Sequence, residues 1–143
     1  MKRITAIALF VLASLIAVRG AEAQQRGVKA TVPFDFSVDG TLLPAGTYKF
    51  TTENFLTVLI RNDQHHASVM SIAPAYVEAS KDGKLIFKRY GNQYFLNEIV
   101  SSASGLSVEL PTSKAEKRAR LQEASLHNGN QADGDRVLVA LNR

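Results

Sequence analysis

The ten residues 29–38, KATVPFDFSV, decide the fold class. Ala30, Val32, Phe34, Phe36 and Val38 fall on one face, and Lys29, Thr31, Asp35 and Ser37 on the other. A period of two over that length belongs to a strand with one buried face. Pro33 lies on the polar side. It has no amide hydrogen to give a ladder, so it assigns the strand to a sheet edge or puts a bulge in it. Asp39-Gly40 follows, a pair that accepts the positive φ angles of a two-residue hairpin turn, and Thr41-Leu42-Leu43 reads as the returning strand.

Further along, Pro44-Ala45-Gly46 bends the chain into a strand at 48–52, and Glu53-Asn54 turns it again. Residues 55–60 are apolar except for Thr57, which predicts a strand covered on both faces, ended by Asn62-Asp63-Gln64. Segments 67–73 and 75–78 are separated by Pro74. Lys81-Asp82-Gly83 reads as a hairpin turn into a strand at 85–90, and Gly91-Asn92 as another into 94–101. Leu106, Val108 and Leu110 then alternate with Ser107 and Glu109. About seven or eight short strands punctuated this densely leave no room for crossover helices. The expected fold is all-β: an antiparallel β-sandwich or small barrel spanning residues 24–111. Phe34, Phe36, Tyr48, Phe50, Phe55, Phe87, Tyr90, Tyr94 and Phe95 are the expected core anchors.

After Pro111 the period changes. Ser113 and Glu116 form a capping box ahead of residues rich in Ala, Lys, Arg, Glu and Gln, which predicts a short surface helix within 112–126, with Glu116 and Arg120 paired one turn apart. Residues 127–136 are polar and contain Gly, as a flexible linker does. The apolar segment within 137–143 is either a last strand or a tail, and the strand is the better reading because an exposed apolar segment invites aggregation.

In the other direction lies the N-terminus. Met1-Lys2-Arg3 is a short positive region, residues 4–18 are interrupted only by Thr5 and Ser14, and Ala21-Glu22-Ala23 places small residues at the −3 and −1 positions. Residues 1–23 read as a secretory signal peptide cleaved before Gln24; an uncleaved anchor would need a longer apolar run than the one ended by Arg19. The whole chain has 143 residues, 17 basic and 13 acidic, a net charge of +4. Without residues 1–23 it carries only +2, too weak a field to argue for nucleic acid. The absence of cysteine excludes a disulfide scaffold, thiolate metal sites, a cysteine nucleophile and an N-terminal lipid anchor on Cys. The expected location is therefore periplasmic or extracellular, with no transmembrane segment in the mature chain.

The runs VPFDFSVDGTLLPAGTYKF (32–50), FKRYGNQYFLNEIVSSASG (87–105) and ELPTSKAEKRAR (109–120) resemble a group of uncharacterised small secreted proteins of acidobacteria and related soil bacteria. Members of that group often carry Trp where Val100 stands, and Arg before the Glu-Leu pair where this chain has Ser107-Val108. The resemblance implies export and a β fold. It implies no substrate and no catalytic residue.

Reactive constellations are sparse. His65-His66 beside Asp63 has ligand character, but neighbours in an extended chain point apart, so solvated imidazoles in a polar turn are the expectation; His127 is remote in the linker. Asp35, Glu78, Glu98 and Glu109 could serve acid–base chemistry only by converging, and their polar companions place them toward solvent. Ser101, Ser102 and Ser104 lack a nucleophile-elbow context. Tyr90, Asn92, Gln93 and Tyr94 surround a hairpin and could make a flat platform for sugar or peptide; the plainer reading has both tyrosines closing the core. Lys114, Lys117, Arg118 and Arg120 give the helix a cationic face without a strong apolar stripe, as on a solvated helix. No catalytic, cofactor or metal site is assigned. The sequence reads as an exported, non-enzymatic β domain that binds an envelope or extracellular component or a protein partner. The competing reading is a small hydrolase or ligand-carrying barrel whose site is assembled from distant residues.

Overall fold

The computed structural model of the chain describes residues 27–53, 56–62, 64–76, 82–101, 106–126 and 133–142. The expected signal peptide and its cleavage point, Phe55, Asp63, Glu78, Ser102, Ser104 and His127 lie outside them.

Two sheets pack face to face as a β-sandwich, without barrel closure. The first sheet has four strands in the order β1 (Gly27–Val32), β4 (Gly46–Glu53), β5 (Thr57–Asn62), β6 (Ala67–Ile72). The second has seven. Its main path runs β11 (Asp135–Ala140), β8 (Lys84–Tyr90), β9 (Gln93–Ser101), β10 (Leu106–Glu109), β7 (Ala75–Tyr76), with the hairpin of β2 (Phe36–Val38) and β3 (Thr41–Leu43) joined to β9. That junction, Ser37 beside Phe95, is parallel, and the other strand pairings among the described residues are antiparallel.

The stretch read as one strand is two. Residues 29–32 belong to β1 and 36–38 to β2, in opposite sheets, and the chain crosses between them at Pro33-Phe34-Asp35. Inward alternation survives the crossing because the core lies between the sheets: Ala30, Val32, Phe36 and Val38 are all buried and Phe34 is half-buried. Asp39 (φ 48°) and Gly40 (φ 84°) make the expected tight turn, and Gly91 (φ 58°) turns β8 into β9. Lys81 lies outside the described residues, and Asp82-Gly83 leads into a strand that does not pair with β7: β7 pairs with β10 while β8 pairs with β9 and β11. β5 alternates rather than being covered twice. Val58, Ile60 and Asn62 are buried, Arg61 is exposed and Leu59 half-exposed.

Aromatic rings fill the interior. Phe36 meets Tyr48 and Phe87 edge-on, at centroid distances of 5.0 and 5.4 Å, and Phe50, Ile60, Leu85, Ile99 and Val108 close the space around them. The C-terminal segment is a strand: β11 pairs along β8, and just beyond it the Asn142 amide donates to the Lys29 carbonyl at 2.7 Å, tying the last residues of the second sheet to β1 of the first.

The helix α1 (Lys114–Leu126) opens as predicted, with the Glu116 amide donating to Ser113 Oγ at 3.1 Å. It is not simply a surface helix. Ala115 and Ala119 pack on Tyr90 and Phe95, which point away from the main core, and Glu116 is itself buried. Leu121 and Leu126, the large apolar residues, stay exposed. Small side chains let the helix approach the sheet closely, so its docking face is written in alanine.

Candidate functional site

The most distinctive stretches of sequence prove to be structural. In LPAGTY, the Tyr48 hydroxyl donates to the Pro44 carbonyl at 2.5 Å, and the Ala45 amide donates to Asp35 Oδ1 at 2.8 Å, so the two ends of the VPFDF…LPAGTY pattern hold one corner. A Cβ at Gly46 would lie 2.6 Å from Asn62 Nδ2, so that buried side chain would have to shift to admit one. Asn62 Oδ1 accepts the amides of Gln64 and His65, shaping the turn after β5. Burial holds the Tyr48 hydroxyl above its ordinary pKa. The Asn62 amide opposes that shift although its Nδ2 makes no well-formed hydrogen bond among the described residues.

The other candidates separate. Tyr94 stacks on Phe34 with centroids 4.0 Å apart, while Tyr90 lies under the helix on the opposite face of the sheet, so no aromatic platform forms. His65 and His66 are exposed in the β5–β6 turn, His66 with φ 49°, and no group of three metal-ligating side chains occurs among the described residues. Ser101 is buried. Lys114, Lys117, Arg118 and Arg120 are exposed on the helix.

Glu98 and Glu109 do meet, as directly opposed residues of β9 and β10 on the outer face of the second sheet. Glu98 is already engaged: Oε1 accepts the Tyr76 hydroxyl at 2.5 Å and Oε2 lies 3.8 Å from Arg136. Nearby, burial raises the pKa of Glu116, and Lys88, the Ser113 amide and Arg120 pull it back in part. On this face acids and bases are interspersed, although Glu98 and Glu109 are themselves like charges opposed across strands.

The outer face of the first sheet differs. Register places Lys29 of β1 opposite Lys49 of β4, Lys49 opposite Arg61 of β5, and Arg61 opposite Ser68 of β6. With strands about 4.8 Å apart, three cations stand in one row about 10 Å long. Each sits between inward-facing residues, so all three face outward, and Lys49 Cε lies over Gly27, 3.3 Å from where a Cβ would stand. No ion pair among the described residues reaches them. Like charges directly opposed across strands destabilise a sheet. At the Arg61 end an open concavity of about 400 Å³ is lined by Arg61, Asn62, His66, Ala67 and Ser68.

Sequence reasoning missed this row because its members are 20 and 12 residues apart and only pairing register aligns them. The signal available was weaker: a cation at an outward position in each of three strands. In comparisons with known proteins, the chain matches no family model, no curated protein and no solved structure.

Proposed function

We propose that this chain is an exported, non-enzymatic β-sandwich protein that binds an anionic component of the cell envelope or extracellular space through the outer face of its four-stranded sheet. The observation that carries the reading is the row Lys29–Lys49–Arg61, three cations held in register without acidic partners among the described residues. An arrangement that breaks a local rule of sheet stability is where function is to be sought. The signal-like N-terminus and the resemblance to small secreted proteins support export. The filled core, with Phe36, Tyr48, Phe50 and Phe87 between the sheets, weighs against a ligand carried inside a barrel.

The test uses protein secreted by an expressing cell, whose first residue by mass spectrometry is expected to be Gln24. Retention on immobilised dextran sulfate at low salt is expected, with Lys49→Gln and Arg61→Gln each eluting at lower salt. Passage of the unaltered protein straight through the column, or elution of both variants at its salt concentration, would refute the reading.

A further inference from the structure

The cation row has an apolar neighbour. One step along the strands, Leu59 of β5 faces Met70 of β6, and one step further Thr57 faces Ile72. Met70 is 62% exposed and Ile72 75%, both on the outer face, and Leu59 is half-exposed beside them. β6 is the edge of its sheet and carries no charge of its own along Ala67–Ile72. Steps of two residues are about 7 Å, so cations and exposed aliphatic side chains lie side by side on one surface. A soluble polyanion would use the cations and leave Met70 and Ile72 in water. An interface that is anionic at its surface and apolar just beneath would use both sets.

We propose that this face seats on an anionic lipid surface. Lys29, Lys49 and Arg61 take the phosphate-bearing headgroups, with the concavity beside Arg61 and Ser68 admitting one of them, while Met70 and Ile72 enter the boundary between headgroups and acyl chains. The inference rests on the reading of this face as anion-binding and names what binds there. Charge complementarity joins the row to such a surface, whereas the opposite outer face mixes Glu98 and Glu109 with the exposed cations Lys114, Lys117, Arg118 and Arg120 of α1.

The experiment is flotation with vesicles of phosphatidylglycerol and phosphatidylcholine, vesicles of phosphatidylcholine alone, and dextran sulfate in solution. Wild type, Lys49→Gln, Arg61→Gln and the double variant Met70→Ser/Ile72→Ser are compared with the same N-terminus, so that differences report the sheet face and not the leader. The replaced side chains are all outward-facing, and far-ultraviolet circular dichroism checks that the fold is kept. Of the two kinds of vesicle only the anionic one is expected to bind, with binding weakened about fivefold by each lost cation. The Met70/Ile72 variant should lose vesicle binding at least as strongly and keep its affinity for dextran sulfate. Binding of dextran sulfate without vesicles, or vesicle binding indifferent to Met70 and Ile72, overturns the lipid inference and leaves the anion-binding face standing. Equal binding to both kinds of vesicle also overturns it, and failure to bind either vesicles or dextran sulfate removes both readings together.

Discussion

The two outer faces of the sandwich lie over one shared core, yet they are finished differently. Over the seven-stranded sheet a helix covers Tyr90 and Phe95, Glu98 answers Arg136 and Tyr76, and Glu116 lies beside Lys88 and Arg120. Over the four-stranded sheet nothing among the described residues balances Lys29, Lys49 and Arg61, and Met70 and Ile72 stand open. The first arrangement spends sequence on stability. The second gives some stability away, which is intelligible if that face is completed by something outside the chain.

The contrast can be broken most forcefully on the covered side. Ala119 is 6% exposed beneath the helix, so Ala119→Asp puts a carboxylate against Tyr90 and Phe95. It should cost about 2 kcal/mol and free the helix while leaving the first sheet intact. Hydrogen exchange would register this as lost protection in Lys114–Leu126 with unchanged protection in β4 and β5. Equal loss in both sheets would mean that the helix is part of a single cooperative core.

A smaller effect concerns Glu116. Its folded pKa is raised by burial, so the native state binds the proton more tightly than the unfolded chain. The sign follows directly. Stability is greatest below the unfolded carboxyl pKa, near 4.5, and falls as pH climbs toward the raised folded value. Glu116→Gln removes that penalty and keeps a polar group at the cap. Urea unfolding at pH 7 should yield a gain of about 1 kcal/mol, vanishing near pH 4; a gain equal at both pH values would show that ionisation is not its source.

The smallest effect sharpens the contrast from the bare side. Lys49→Glu places opposite charges across both neighbouring strands and should raise stability by about 0.5 kcal/mol at low salt, while abolishing retention on dextran sulfate. A variant that is more stable and less able to bind is the mark of a face kept for a ligand. Thermal unfolding at two salt concentrations measures it, and a destabilised variant would remove the idea that the row is held at a cost.

Much of the fold was legible where the cause is local. Asp39-Gly40 and Gly91-Asn92 announce turns because positive φ is a property of single residues, and Ser113 with Glu116 announces a helix start for the same kind of reason. What could not be read depends on partners far away. The change of sheet at Pro33-Phe34-Asp35 is silent in the pattern, since both strands point their apolar side into one core. β7 pairs with β10 across a gap in sequence that its two residues cannot encode. The helix was legible as a helix but its face was not, because alanine is as common on solvated helices as on docked ones. The cation row needed two registers at once, β1 on β4 and β4 on β5, and the turn-forming residues beside it drew attention to His65 and His66, which are exposed in the β5–β6 turn.

The meeting of Asn142 with Lys29 has a consequence in time. The corner of the sandwich is sealed by β11 and the residues just after it against β1, far away in the sequence. Closing so long a span costs loop entropy before the contact repays it, so until the two meet β1 has an open flank and β8 lacks one neighbour. Sealing of this corner is a late step of folding, and a chain cut before Asp135 would lose it.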